Sequence, residues 1–226
     1  MAVDGENPYS WGAEATIYLG EFLGRRVVVK KRRSKPYRHP LYDSLFIQSR
    51  TRTEAKILVE LYTAGINVPA PIIVDIENGV LVMEYVEGER MSEALGAMSI
   101  EAVVDAARDV GRQTALMHNM GVYHGDLTLA NMIRSRRGVY IIDFGLAGYS
   151  TDIEEYAIDI HLLRKSVSTL HPPLLQPFMD AFMEAYKGYY KGNYEELLQR
   201  LREVSIRGRY VDRELRRTVM RERYLD

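Results

Sequence analysis

The sequence predicts an α+β chain folded as two lobes, a β-rich first part and a helical second part. Three observations predict it. Up to Tyr85 the apolar residues fall mostly in short β-branched runs punctuated by glycine turns, and beyond Gly88 they recur mostly at helical spacing. The stretch from Glu84 to Glu89 joins the two patterns. With 226 residues, 46 % of them hydrophobic and 27 % charged, the chain has enough apolar mass for a real core, which argues against a disordered polypeptide. The division expected is residues 1–85, 86–206 and a basic tail at 207–226.

The elements follow in order. "ATIYLGEFLGRRVVVKKR" reads as two strands turning at Gly24. "SLFIQSRTRTEAKILVELYTAG" places Ile57, Leu58, Leu61 and Tyr62 at helical spacing and stops at Gly65. "VPAPIIVDIENGVLVMEYVEG" returns to strands, with Asn78-Gly79 as the hairpin turn. In the second part Ile100, Val103, Val104, Ala107, Gly111, Thr114 and Met117 mark a helix with Ser99 as its N-cap. "NMIRS" and "VYIIDF" read as a short hairpin turning near Gly138, and residues 154–166, 174–190 and 194–204 as three further helices.

Composition narrows the chemistry. There is no cysteine, so disulfides, thiolate metal sites and thiol catalysis are excluded. No run approaches the roughly 18 to 20 apolar residues of a membrane span, and the acidic, polar start "MAVDGENPYSWG" is unlike a secretory signal, so a cytoplasmic protein with no membrane contact is expected. The net charge of −1 conceals an uneven distribution. Eleven Lys/Arg face two acids between Arg25 and Lys56, and nine arginines face five acids between Arg200 and Asp226. Both zones can attract phosphates.

Two stretches carry the chemistry, "HGDLTLANMI" (124–133) and "YIIDFG" (140–145). They set Asp126, Asn131 and Asp143 among core-type neighbours. Phosphoryl transfer from ATP needs metal ligands, a group that positions the attacking hydroxyl and a cation on the phosphates. Magnesium takes oxygen ligands, usually one or two carboxylates or amides beside phosphate oxygens. Asp143 and Asn131 are the right types, Asp126 can orient the nucleophile, and a hairpin between them brings position 131 near 143.

The spacing Asp-x-x-x-x-Asn, then Asp-Phe-Gly, resembles the catalytic and metal loops of the protein-kinase-like superfamily. That resemblance implies a bilobal kinase-like fold binding ATP and Mg2+ between the lobes. It makes Lys30 of "VVVK" the phosphate lysine and Glu54, on the first helix, its partner; alone, each would be an ordinary surface charge. Lys31 goes to the opposite strand face by period-2 alternation. Gly12, Ala13 and Glu14 would cover the phosphates, Met83 would face the adenine, and the backbone of Glu84 and Val86 would bond the base. Asn131 and Asp143 would hold the metal and Asp126 would act on the nucleophile. Asp159 in "YAIDIHLL" resembles the helix aspartate that braces the catalytic loop, and His124 a structural part of that loop.

The sequence also departs from ordinary kinases. Only Gly12 stands where three loop glycines are usual, Gly125 replaces the arginine that receives a phosphorylated activation loop, and Thr128 stands where a lysine is common. Thirteen residues separate Gly145 from Asp159, so there is no room for an extended activation segment or peptide platform. Together with the basic insert "KKRRSKPYRHPLYD", this is similar to the small atypical serine/threonine kinase family of the KEOPS complex, also called the p53-related protein kinase family. Like the Rio kinases, its members are stripped-down, and an archaeal member would suit the compact, cysteine-free chain. The resemblance implies ATP turnover supporting N6-threonylcarbamoyladenosine modification of tRNA, with KEOPS subunits as partners, chiefly the transferase. It favours tRNA as the polyanion met by the insert and by tail arginines such as Arg207, Arg209, Arg216 and Arg217. Two other readings stay open. Aminoglycoside and choline kinases share "HGD-x-x-x-x-N", but only 67 residues follow Asp159 to shape an acceptor pocket. A non-catalytic tRNA-binding scaffold would not need Lys30, Glu54, Asp126, Asn131 and Asp143 together.

Overall fold

The computed structural model describes residues 2–3, 10–11 and 15–207. The first part is an antiparallel sheet of β1 (Ala2–Val3), β2 (Ser10–Trp11), β3 (Ala15–Phe22), β4 (Arg25–Arg32), β5 (Pro71–Asp75) and β6 (Val80–Glu84). The order is β1-β3-β4-β6-β5, with β2 also on β3. The β3–β4 hairpin turns on Leu23 (φ 50°) and Gly24 (φ 73°), two consecutive left-handed residues that match the strand twist. The β5–β6 turn is longer than its Asn-Gly pair implies. It runs from residue 76 to 79, Asp75 accepts from the Asn78 main-chain N–H at 3.0 Å, and only Gly79 has positive φ.

Helix α1 (Pro40–Thr63) crosses the sheet between β4 and β5. It begins before the stretch read as helical, absorbing the end of the basic insert. Proline at the first helical position loses no bond, and His39 before it is extended (ψ 131°), as a pre-proline residue prefers. Ile57, Leu58 and Leu61 are buried as expected, but Tyr62 is 54 % exposed, because the helix turns its edge to solvent there.

Beyond residue 88 the chain is mainly helical. It holds α2 (Met91–Ala94), α3 (Ile100–Asn119), α4 (Ile153–Leu170), α5 (Leu175–Tyr189) and α6 over 194–207. Ser99 caps α3 by accepting from Ala102 N–H at 3.3 Å. Short strands β7 (Glu89–Arg90), β8 (Val122–Tyr123), β9 (Met132–Ser135), β10 (Gly138–Ile141) and β11 (Gly148–Tyr149) lie between the helices. A single buried cluster runs from Leu58 and Leu61 of α1 through Met117 and Val122 to Phe178 and Phe182 of α5. Each such side chain contributes about 1.5–3 kcal/mol on burial, so the two halves are held by one core. No helix among the described residues is long and apolar enough to cross a membrane.

Candidate active site

Strand alternation sends Val27, Val29 and Lys31 to one face of β4 and Val28, Lys30 and Arg32 to the other. The first face packs Val27 and Val29 with Val82, whereas Lys31 is exposed. The second faces α1 and a cleft of about 520 Å³ between the two halves. The cleft's apolar wall includes Ile17, Val28, Met83 and Ile133. Its polar end gathers Lys30, Arg32, Glu54, Asp126, Asn131 and Asp143.

At that end Lys30 Nζ donates to Glu54 Oε1 at 2.6 Å and to Asp143 Oδ1 at 2.7 Å. Arg32 donates to the other oxygen of Glu54, also at 2.6 Å. Lys30, Arg32 and Glu54 are all buried, which makes their mutual charge compensation necessary. Burial by itself would lower the Lys30 pKa; the neighbouring Glu54 and Asp143 carboxylates outweigh it and raise the value above 10.5. For Asp143, desolvation pushes upward, but Lys30 prevails and holds the carboxyl below 3.8. Its side chain is 56 % exposed toward the cleft, so this attraction is partly screened by solvent.

Hairpin β9–β10 delivers the other two groups. Its register pairs Met132 with Ile141, and Ile142 N–H donates to Asn131 O at 2.9 Å, which brings the ends of the two motifs side by side. Asn131 Nδ2 donates to Asp126 O at 2.9 Å and to Asp126 Oδ2 at 2.8 Å. The amide nitrogen is thereby engaged and the amide oxygen is left to accept a cation. One carboxylate and one amide oxygen at a cleft is a donor set that fits Mg2+ arriving with phosphate oxygens.

The turn after β10 is fixed locally. Asp143 lies in the left-handed region (φ 62°, ψ 70°), which aspartate tolerates better than most residues, and accepts from Gly145 N–H at 3.3 Å. A Cβ on Gly145 would come within 3.2 Å of Lys30 Nζ and 3.1 Å of Asp143 Oδ1, so glycine leaves room for the ion pair. Phe144 is buried against the His124 ring. The 124–131 loop hangs on Asp159 of α4, whose carboxylate accepts from His124 N–H at 2.6 Å and Gly125 N–H at 2.8 Å. His118 Nε2 meets the same carboxylate at 3.3 Å, and Nδ1 meets Tyr186 OH at 2.8 Å. His124 is buried, with Nε2 on Ile142 O at 3.0 Å, a structural and not a ligating placement.

At the hinge Met83 and the residues Glu84 to Val86 line the cleft. Glu84 N–H donates to Ala70 O at 2.9 Å, so this backbone amide is already engaged. Gly12, Ala13 and Glu14 lie outside the described residues, as do Arg209, Arg216 and Arg217. Arg207 is exposed at the end of α6 and pairs with Glu154 at 2.9 Å. The insert differs from a uniformly solvated loop. Of its six cations, Lys30 and Arg32 point into the cleft, and Arg38 pairs with the buried Asp43. Arg32 is the site residue that sequence reasoning missed. The available signal was the same alternation that separates Lys30 from Lys31, carried one residue further.

A β-lobe and a helical lobe around a cleft with this lysine, glutamate and aspartate–asparagine set define the protein-kinase-like class. Its fold is that of the Rio2 kinase of Chaetomium thermophilum in its ADP/Mg2+-phosphoaspartate complex, with a TM-score of 0.63 at 17 % identity, covering 94 % of this chain and 72 % of that one. The RIO domain model matches residues 23–168, and the chain belongs to that family. Within it, the chain is 41 % identical to the KEOPS complex subunit Bud32 of Pyrococcus abyssi, over 89 % of this chain and 95 % of the relative. It is 37 % identical to a probable bifunctional tRNA threonylcarbamoyladenosine biosynthesis protein of Methanothermobacter thermautotrophicus, over 89 % of this chain but only 36 % of that longer protein.

Proposed function

We propose that this chain is the kinase-type ATPase subunit of a KEOPS assembly, using MgATP in support of threonylcarbamoyladenosine formation on tRNA. The observation that carries the reading is the convergence of Lys30, Glu54, Asp143, Asn131 and Asp126 at one end of one cleft. The similarity to the Pyrococcus subunit across nearly its whole length supports the assembly. The longer bifunctional relative, of which the homologous segment is about a third, supports a second function beside this one in threonylcarbamoyladenosine biosynthesis, and the transferase subunit is the partner proposed for it.

In this reading the adenine lies against Met83, with the Glu84 carbonyl and the Val86 backbone as its polar partners. Lys30 exchanges its bond to Asp143 for the phosphates while keeping Glu54. Asn131 and Asp143 would hold Mg2+, and the chemistry it would supply there is charge neutralisation at the phosphoryl oxygens. Asp126, with Oδ2 fixed by Asn131, orients a serine or threonine hydroxyl or a water. Gly12 to Glu14 cover the phosphates. The basic insert and Arg207, Arg209, Arg216 and Arg217 contact tRNA, in the cytoplasm on this reading.

The test follows the γ-phosphate of labelled ATP with wild type, Asp126→Ala and Asp143→Ala, with and without tRNA and the transferase subunit. Both variants are expected to lose turnover. Label on protein serine or threonine identifies a kinase; free phosphate rising only with tRNA and partner identifies an ATPase of the modification cycle. ATP bound but never turned over would overturn the catalytic reading in favour of a scaffold. In the same mixtures Arg216→Glu with Arg217→Glu should weaken tRNA binding and lower its salt slope by about 2, roughly one for each phosphate no longer neutralised. An unchanged tRNA affinity removes the tail from the interface.

A further inference from the structure

Glu54 is not a partner for Lys30 alone. Its two oxygens are divided between two cations of the same strand face, Oε1 with Lys30 and Oε2 with Arg32, both at 2.6 Å. Glu54 lies on α1 and both cations on β4, so the pair of bonds fixes the helix to the sheet at the cleft. The Arg32 guanidinium also reaches the turn after Asp143: a Cβ on Gly145 would stand 3.6 Å from its Nη2. A second, outer tie joins the same helix to the segment after that turn, where Tyr149 OH donates to Glu60 Oε2 at 2.7 Å.

Kinases need the strand lysine and the helix glutamate in register before phosphates can be held, and many control this by phosphorylating an activation segment that positions the helix. Here that segment is short. β11 begins three residues after Gly145, pairs with β8, and α4 starts at Ile153. The loop residue that elsewhere receives the phosphate is Gly125, which has no side chain to do so. We propose that Arg32 is a positioning residue that locks α1 in the phosphate-ready position through Glu54, a permanent ion pair replacing activation by phosphorylation. The proposal rests on the MgATP reading of the cleft. The lock also gives the buried Glu54 carboxylate a second cation, so its charge is not carried by Lys30 alone when that lysine exchanges Asp143 for phosphates.

The experiment uses the full chain as wild type, Arg32→Met, Arg32→Lys, Glu54→Gln and the Arg32→Met/Glu54→Gln double variant. Two readouts are taken: hydrogen exchange of the α1 amides in the free protein, and MgATP affinity by calorimetry. Arg32→Met is expected to speed exchange across residues 51–61 selectively and to weaken MgATP by about tenfold, the scale of one charge-assisted hydrogen bond. Arg32→Lys should recover most of both, because one donor to Oε2 suffices. In the Glu54→Gln background the effect of Arg32→Met should shrink to less than half, since the bond through which it acts is already weakened. A merely structural arginine would lower global stability without selective exchange in α1 and without dependence on Glu54. Wild-type exchange in α1 of Arg32→Met, or an undiminished effect in the double variant, overturns the lock. Failure of the wild type to bind MgATP overturns the nucleotide reading instead, and exchange and coupling in the free chain still decide the lock.

Discussion

Replacing Asp159 tests how the catalytic loop is held. The carboxylate is fully buried and accepts from two main-chain donors, His124 N–H at 2.6 Å and Gly125 N–H at 2.8 Å, and also meets His118 Nε2 at 3.3 Å. Asp159→Ala removes the acceptor for all three and leaves the backbone donors in a space without replacements. An orphaned buried donor costs about 1–3 kcal/mol, so the two main-chain groups alone cost about 2–6 kcal/mol. Set against a typical stability of about 5–15 kcal/mol, this leaves the variant marginal at best. Asp159→Asn keeps one acceptor oxygen and should lose only about 1–3 kcal/mol, one donor's share. Urea unfolding followed by circular dichroism at matched pH measures both. Because Asp126 rides on this loop whereas Met83 and Lys30 do not, ATP turnover by Asp159→Asn should fall further than its nucleotide affinity. An alanine variant within about 1 kcal/mol of wild type would show that the loop finds other acceptors and that Asp159 is not its brace.

Two further outcomes follow from the same region. Gly125 has φ 78°, and a Cβ there would lie 2.5 Å from Leu146 O, a backbone atom of the turn that carries Asp143. Gly125→Ala should therefore cost more than about 2 kcal/mol, left-handed strain plus displacement of that turn, and an unchanged melting temperature refutes it. His118 is buried, and desolvation outweighs the attraction of Asp159, so its pKa is lowered below 6.5. Between that lowered value and 6.5 the unfolded chain binds the proton and the folded chain does not. Stability is thus full above 6.5 and falls on acidification, by up to about 1.4 kcal/mol per pH unit. His118→Gln, which cannot titrate, should flatten the wild-type decline below pH about 6.5, and parallel curves for the two proteins would exclude His118 as its source.

Much of the site was legible because chemistry and spacing coincide there. Asp126, Asn131 and Asp143 stand out as acids and an amide within apolar runs, and a hairpin turn between them is enough to predict that they meet. Glu54 was legible only through resemblance, since nothing in a single helix marks one glutamate as buried. Arg32 was missed because a run rich in lysine and arginine reads as solvated. Only the strand's alternation, together with a carboxylate from α1, makes two of those cations internal. Gly125 was read as a lost arginine; its backbone conformation and its close approach to Leu146 depend on the loop's fold, which no local pattern encodes. The start of α1 went unread for a different reason. His39 makes no side-chain capping bond, and only Pro40 and the acidic Asp43 marked the first turn.

The short segment after Asp143 also bears on what the cleft can act upon. β11 is two residues long and one of its edges is already paired with β8, while Ser150 N–H is taken by Gly121 O at 2.8 Å. A peptide docking by strand addition needs a run of free main-chain donors and acceptors, and two residues offer at most a couple of bonds. On the MgATP reading, an acceptor therefore gains little binding energy from extended pairing and would have to be presented to Asp126 by something else. A hydroxyl carried on a partner already held elsewhere, or a water, meets that requirement, whereas a free peptide does not. On the proposed reading, the short segment after Asp143 shifts specificity away from the cleft and onto whatever surface holds the partner.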